Sequence, residues 1–358
     1  MGTVASHEEA ATQAQRRERA RLDAARSGDE RAFVDLVAPY RRELHAHCYR
    51  MLGSVHDADE ALQEALVRAW RGLPGFLGRS SLRTWLYKIA TNASLRLLEQ
   101  RSRRALPVDY GPAADPHDAE WRAVEAGWVE PYPSDRLYVD TGGAGPAARY
   151  ERTESVELAF VAAVQHLPPN QRAVLLLREV LGFSAKETAA ALETTVASVN
   201  SALQRARGTL RRRLPERSQQ ASLRALGDVG LRELVQGYVD AWERGDAAAI
   251  LDLLAEDATF SMPPFAAWYR GREAIAAFLP RGPLRERWRL LPVRANAQPA
   301  FGCYRWNSDE RSYVAHSIDV VTVAGRRIDQ ITAFLDAGSL ADFGLPPRLH
   351  TGVAAAAP

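Results

Sequence analysis

The chain has 358 residues, 46% of them apolar and 25% charged, with a formal net charge of +2. That length suits two or three domains. Cys48 and Cys303 are the only cysteines, which excludes a disulfide framework. No apolar run approaches the ~20 residues of a membrane span, and the N-terminus has no secretory signal pattern. A cytoplasmic chain with no membrane partner is expected.

Residues 1–25 are polar and rich in Ala and Arg, and predict a frayed helix. From Asp29 the helical period is clear. Phe33, Leu36, Val37 and Tyr40 fall at i, i+3, i+4 and i+7, and Leu44, Cys48, Met51 and Leu52 extend the stripe. Pro39 predicts a bend. Ala58, Ala61, Leu62, Ala65, Leu66, Ala69 and Trp70 form a second stripe, and Leu82, Trp85, Leu86, Ile89, Ala90 and Ala93 a third. Gly72, Pro74, Gly75 and Gly78 break the chain between them. Residues 26–107 read as a helical bundle.

Charge reverses inside this bundle. Asp57, Asp59, Glu60 and Glu64 precede Arg68 and Arg71, whereas Arg79–Arg104 carries seven cations against Glu99 alone. The acidic surface suits a protein partner. The basic one suits nucleic acid, because Lys88, Asn92 and Arg96 share a helix face and Phe76, Trp85 and Tyr87 stand among the cations. Trp85 also fits the apolar stripe and reads equally as core.

Residues 108–152 are a Pro- and Gly-rich linker, but Trp121, Trp128, Tyr132 and Tyr138 make it too aromatic for a spacer. Part of it is expected to dock. The second helical block, 153–216, opens on the stripe Val156, Ala159, Phe160, Ala163, Val164 and Leu167, stopped by Pro168-Pro169; Gln171–Leu181 follows. Ser184-Ala-Lys-Glu187 fits a capping box, Glu193-Thr194-Thr195 a turn, and Thr195 an N-cap. Val199, Leu203, Ala206, Leu210 and Leu214 make the next buried stripe. Ser198, Asn200, Ser201, Gln204 and Arg205 then face outward, where they can bond base edges in a major groove, while Arg207 and Arg211 suit phosphates. An ordinary helical hairpin with a basic face has the same pattern.

Residues 229–343 change period. Helices are predicted through Leu231–Trp242, Ala248–Leu254 and Ala274–Leu279, then antiparallel strands at Arg289–Arg294, Ala300–Trp306, Ser312–Val323 and Arg327–Leu335, with Ala324-Gly325 a turn. Residues 344–358 predict a disordered tail. His45, His47 and Cys48 do not make a zinc site, since ligands two apart on a helix diverge. There is no phosphate-binding or nucleophile-elbow motif, and no metal, cofactor or catalytic residue is expected.

Three stretches, MLGSVHDADEALQEALVRAW, SSLRTWLYKIATNASLRLLEQRSRR and LPPNQRAVLLLREVLGFSAKETAAALETTVASVNSALQRARGTL, resemble an extracytoplasmic-function sigma factor of the sigma-70 family. The resemblance implies that Asp57, Asp59, Glu60, Gln63 and Glu64 bind the β′ clamp helices of core RNA polymerase. It implies that Phe76, Arg79, Arg83, Lys88, Asn92 and Arg96 hold the −10 promoter element. The helix-turn-helix would read the −35 element and touch the β flap. Relatives often place Lys or Arg where this chain has Asn200 and Ala202, so base readout here is expected to differ.

YVDAWERGDAAAILDLLAEDATFSMPP, GREAIAAFL and SIDVVTV resemble ketosteroid isomerase and SnoaL-like cyclases, whose α+β cone encloses an apolar pocket. The resemblance places Tyr238 and Asp319 at the isomerase's oxyanion donors. The base position holds Met262, whose thioether cannot take a proton; His316 is the candidate substitute, although a lone strand histidine is more often structural. The fold expected is therefore two all-α blocks, the second a helix-turn-helix, followed by an α+β cone. The function implied is transcription initiation, with the C-terminal domain regulatory and open to a small ligand. WVEPYP at Trp128–Pro133 resembles a linker motif of such relatives and is expected to pack on that domain. The alternatives are a cyclase or isomerase fused to a DNA-binding module, and a repressor that works without polymerase.

Overall fold

The computed structural model describes residues 18–117, 121–125, 127–137 and 154–350. After a helical stretch at 18–26, the first block is built from α1 (Glu30–Val37), α2 (Arg41–Leu52), α3 (Val55–Gly72) and α4 (Leu82–Gln100). Asp29, Ser54 and Ser81 cap α1, α3 and α4 by accepting the N–H three residues on. Pro39 sits in the 3-10 turn between α1 and α2, and Gly53 closes α2 in the left-handed conformation. Leu44, Cys48, Met51, Ala58, Ala61, Leu86 and Ala90 fill the core between the helices.

The second block holds α5 (Leu158–Gln165), α6 (Pro169–Leu175), α7 (Ala185–Ala191) and α8 (Val196–Arg211). The helix predicted to run on to Leu181 changes instead into a π turn over Leu176–Val180. Ser184 and Glu187 form the full capping box, and Thr195 caps α8. Val164, Leu175, Val199, Leu203 and Leu210 make a separate small core.

The third unit opens with α9 (Gln219–Arg244), broken at Gly227 (φ 72°), then α10 (Ala247–Leu253). Its sheet runs in the order β4 (Trp268–Arg270), β3 (Leu254–Ser261), β8 (Arg327–Phe334), β7 (Ser312–Ala324), β6 (Gln298–Asn307), β5 (Trp288–Ala295). Helix α11 (Arg272–Phe278) lies between β4 and β5 in the chain. Three expectations change here. Strands β3 and β4 add to the four that the sequence predicts. The sheet is mixed, because β3 runs parallel to β8. The tail is not disordered from 344, since β9 (Arg348–His350) pairs with β7 through Ser312↔His350; residues 351–358 lie outside the described residues. Pro292 is accommodated because β5 is the edge strand.

The described part of the linker, up to residue 137, is pressed between the first block and the sheet. Arg104–Ala105 (β1) and Gly127–Trp128 (β2) pair in parallel, and Pro133 bridges to Ala295. Tyr132 is fully buried; its hydroxyl meets His45 Nδ1 at 2.8 Å. Opposite it stands the two-residue turn between β5 and β6, Asn296-Ala297, with φ of 53° and 58°. Asn296 tolerates that conformation better than most residues and uses its whole amide. Oδ1 accepts from Tyr132 N at 2.9 Å, and Nδ2 donates to the Tyr49 hydroxyl and to Val156 O, each at 2.8 Å. One side chain thus ties the third unit to the linker, to α2 and to the segment entering α5. Tyr138 lies outside the described residues.

Replacing Asn296 by Gly keeps the turn and removes these three bonds. At about 1 kcal/mol per buried hydrogen bond, Asn296→Gly is expected to cost roughly 2–4 kcal/mol, read as a lower urea midpoint. An unchanged midpoint would contradict the role given to this amide.

Candidate nucleic-acid interface and ligand pocket

On α3 the acidic residues separate into two groups. Asp57 is buried: Arg104 Nη2 donates to its Oδ2 at 2.6 Å, and Arg101 approaches at 3.9 Å. Glu130 of the linker joins this cluster, pairing with Arg104 at 3.1 Å and accepting Val55 N at 2.8 Å at the start of α3. Asp57 is therefore internal structure and no part of an exposed acidic face. Asp59, Glu60, Gln63 and Glu64 do stand outward, with Glu60 paired to Arg101 at 3.2 Å, Glu64 to Arg68, and Asp59 to His45 at 3.0 Å and Arg136 at 3.4 Å. The pairs of Glu60 with Arg101 and Glu64 with Arg68 are exposed and weak, about 0–1 kcal/mol, so a protein partner can compete for these carboxylates.

The expected −10 residues do not lie open together. Arg79 and Arg96 are exposed. Phe76 is buried against Trp85, ring centroids 5.0 Å apart, so it is not presented to a base. Tyr87, read as one of the aromatics available to nucleic acid, is core: it touches the rings of His47 and Phe183. Arg83 is held by Glu43 at 3.0 Å, and Asn92 is half-buried. Lys88 reaches across to Glu193, in the turn of the helix-turn-helix, at 3.3 Å.

In α8, Ser198, Asn200, Ser201, Gln204, Arg205 and Arg211 are all exposed on one side of the buried Val199–Leu203–Leu210 stripe. Arg207 is paired with Glu179. Ala202 is buried, so that position contributes to packing and not to readout. The two helical blocks are packed against each other. Gln165 Nε2 donates to Arg50 O at 3.1 Å, Arg50 Nε donates to Ser155 O at 3.1 Å, and buried Arg172 donates to Met51 O, Gln165 O and Leu167 O. Burial lowers the Arg172 pKa to about 10, still cationic at neutral pH.

The third unit encloses a cavity of about 450 Å³ on the inner face of its sheet. Met262 and Asp319 line it, together with Trp242, Phe260, Phe278 and Trp288. Tyr238 stands behind Asp319 and donates to its Oδ2 at 3.2 Å; Ser317 donates to Oδ1 at 3.0 Å. Burial raises the Asp319 pKa to about 6 and lowers that of His316, also on the wall, to about 4. Sequence reasoning missed Trp121, which brings the linker to the cavity; the aromatic richness of the linker was the available signal. It also missed the Lys88–Glu193 pair, whose partners lie 105 residues apart.

Asp319 binds its proton more tightly folded than unfolded, where a pKa of about 3.9 applies. Its contribution to stability is full below about pH 4 and is lost as pH rises through about 6. Asp319→Asn cannot ionise, so its urea midpoint relative to the parent chain should improve between pH 5 and pH 8. A pH-independent difference would contradict the burial assigned to this carboxyl.

Comparison with known proteins follows this division. Residues 36–104 match the family model for sigma-70 region 2, 157–210 the model for sigma-70 region 4, and 235–331 that for a SnoaL-like domain. The ECF RNA polymerase sigma factor SigG of Mycobacterium tuberculosis is 42% identical over 332 residues, covering 90% of this chain and 86% of that protein. SigW of Bacillus subtilis is 31% identical over 196 residues, 54% of this chain and 95% of its own. The crystal structure of the M. tuberculosis extracytoplasmic function sigma factor SigJ superposes with a TM-score of 0.55 at 20% identity, covering 87% of this chain and 99% of that one, a likeness of fold. From the length and level of the match to SigG, the chain belongs to the ECF RNA polymerase sigma factors, a family that acts by binding rather than turnover, and it carries a SnoaL-like domain at its C-terminal end.

Proposed function

We propose that this sigma factor rests in a closed form, in which its two promoter-binding blocks are held together, and opens when it engages polymerase and promoter. The contact between Lys88 and Glu193 carries the reading. The −10 and −35 elements are separated by roughly 80 Å of duplex at about 3.4 Å per base pair. A helix that touches the helix-turn-helix, as α4 does through Lys88 and Tyr87, cannot occupy one element while α8 occupies the other.

In the open form, Asp59, Glu60, Gln63 and Glu64 bind the β′ clamp helices of the core enzyme in the cytoplasm. Arg79, Arg83, Lys88, Asn92 and Arg96 hold the −10 element, and Phe76 joins them only if its loop leaves Trp85. Ser198, Asn200, Ser201, Gln204 and Arg205 read the −35 element, Arg207 and Arg211 grip phosphates, and the block touches the β flap. The SnoaL-like domain is regulatory: through Asn296 and the buried linker it favours the closed form. An enzyme reading finds no support at Met262, where no base stands, and burial lowers the His316 pKa to about 4, which leaves its imidazole a weak base.

Run-off transcription with purified core polymerase tests this. Lys88→Cys combined with Glu193→Cys, bridged by a short bismaleimide, is expected to lose at least tenfold of the activity of the same variant before bridging. Variants with only one of the two introduced cysteines, treated alike, should keep their own activity; native Cys48 and Cys303 are buried. Equal activity before and after bridging would overturn the closed-form reading. Promoter affinity of the open complex should also fall steeply with salt, because arginine–phosphate contacts release counterions; a flat salt response in a filter-binding titration would exclude that set of contacts.

A further inference from the structure

The cavity of the SnoaL-like domain is closed in part by the linker. Trp121 and Ala123 stand on its wall. The Trp121 indole N–H donates to the Tyr269 hydroxyl at 2.8 Å, and its ring meets Phe278 edge-on at 5.7 Å. Gly282 is what makes room for it, since a Cβ there would meet Trp121 Cη2 at 2.8 Å. Next to it the linker backbone joins the domain: Val124 N donates to Pro264 O at 3.1 Å, and Ala123 bridges to Phe265. Six residues after Trp121 the chain enters β2 and then the buried wedge at Tyr132.

The chemistry of the lining is one-sided. Flat rings from Trp242, Phe260, Phe278 and Trp288 make the walls, and the polar groups gather at Asp319. Asp319 forms no ion pair among the described residues; each of its oxygens takes one hydroxyl donor, from Ser317 and Tyr238. A carboxylate offers about four acceptor sites, so it can take one more donor from inside the cavity. At the rim, Arg305 and Glu286 are both exposed and opposite in charge, so the mouth has no single-sign field to draw an ion.

We propose that this composite cavity binds a small flat aromatic molecule of two or three rings bearing one N–H or O–H donor, the donor meeting Asp319 and Trp121 of the linker closing over the ring. Occupancy then holds the linker against the domain, so the ligand acts on the segment that keeps the two promoter-binding blocks together. This deepens the regulatory reading of the domain, and its test needs no transcription, so failure of either is seen separately.

The test uses the full chain with indole and 1-methylindole, which share a ring system and differ in the donor. Ligand-detected NMR titration should give at least tenfold tighter binding of indole. Asp319→Asn should narrow the preference to within about threefold. Met262→Trp, which fills the cavity, should abolish binding of both. Amide exchange at Ala123 and Val124 should slow when indole is added. Equal affinity for the two probes in the parent chain, no binding of either at millimolar concentration, or binding that survives Met262→Trp with intact helicity would overturn the proposal. Indole binding with unchanged exchange at 123–124 would overturn the linker's part in it.

Discussion

The arrangement of this protein depends on one buried amide. Asn296 sits at the tip of the β5–β6 turn, in a left-handed conformation, and bonds to groups from three other parts of the chain: Tyr132 in the linker, Tyr49 in α2 and Val156 before α5. A side chain so placed has no water to fall back on, so separating the units leaves it and its partners unsatisfied until solvent enters. Around it the same junction is reinforced by Ala297 N bonding Ser134 Oγ at 2.9 Å and by Gln298 Oε1 accepting Leu158 N at 2.8 Å. A SnoaL-like sheet thus serves as the anvil against which linker and helical blocks are pressed.

This junction explains why the charge pattern of the first block is only partly available at its surface. Glu130 of the linker caps α3 and, with Arg104, encloses Asp57. Lys88 is drawn toward the turn of the helix-turn-helix. The exposed remainder on α3 and α8 is what the proposed polymerase and promoter contacts would use, and most of its ion pairs are weak enough to exchange for those of a partner. Opening must break stronger ties, such as Arg172 to Met51 O and Gln165 to Arg50 O, which lie out of water between the two blocks. A large binding energy, of the kind polymerase and duplex together supply, is the natural source.

Local features were the most legible in the sequence. The capping box at Ser184 and Glu187, the cap at Thr195 and the stripe through Val199, Leu203 and Leu210 each depend on residues within one or two turns of each other, and all are present. Non-local features were not. Strand β3 follows α10 without a break and pairs with β8 some 70 residues later, so beyond the helix predicted to end at Leu254 nothing local marks AEDATFS as a strand. Asp57 looked exposed because Arg104, which neutralises it, is 47 residues away. Phe76 and Tyr87 looked available to bases because the rings they pack on come from other elements or another block. Composition misled at the C-terminal end, where Pro-rich sequence concealed the edge pairing of Arg348–His350.

The central claim is that α4 and the turn of the helix-turn-helix lie in contact in the free protein and part on the promoter. The distance between one fluorophore on α4 and another near the end of α8 reports this directly, measured by single-molecule energy transfer. The account predicts a short distance in the free chain and a lengthening of several tens of ångströms in the complex with core polymerase and promoter DNA. A distance that stays short in a complex that is making RNA would contradict it.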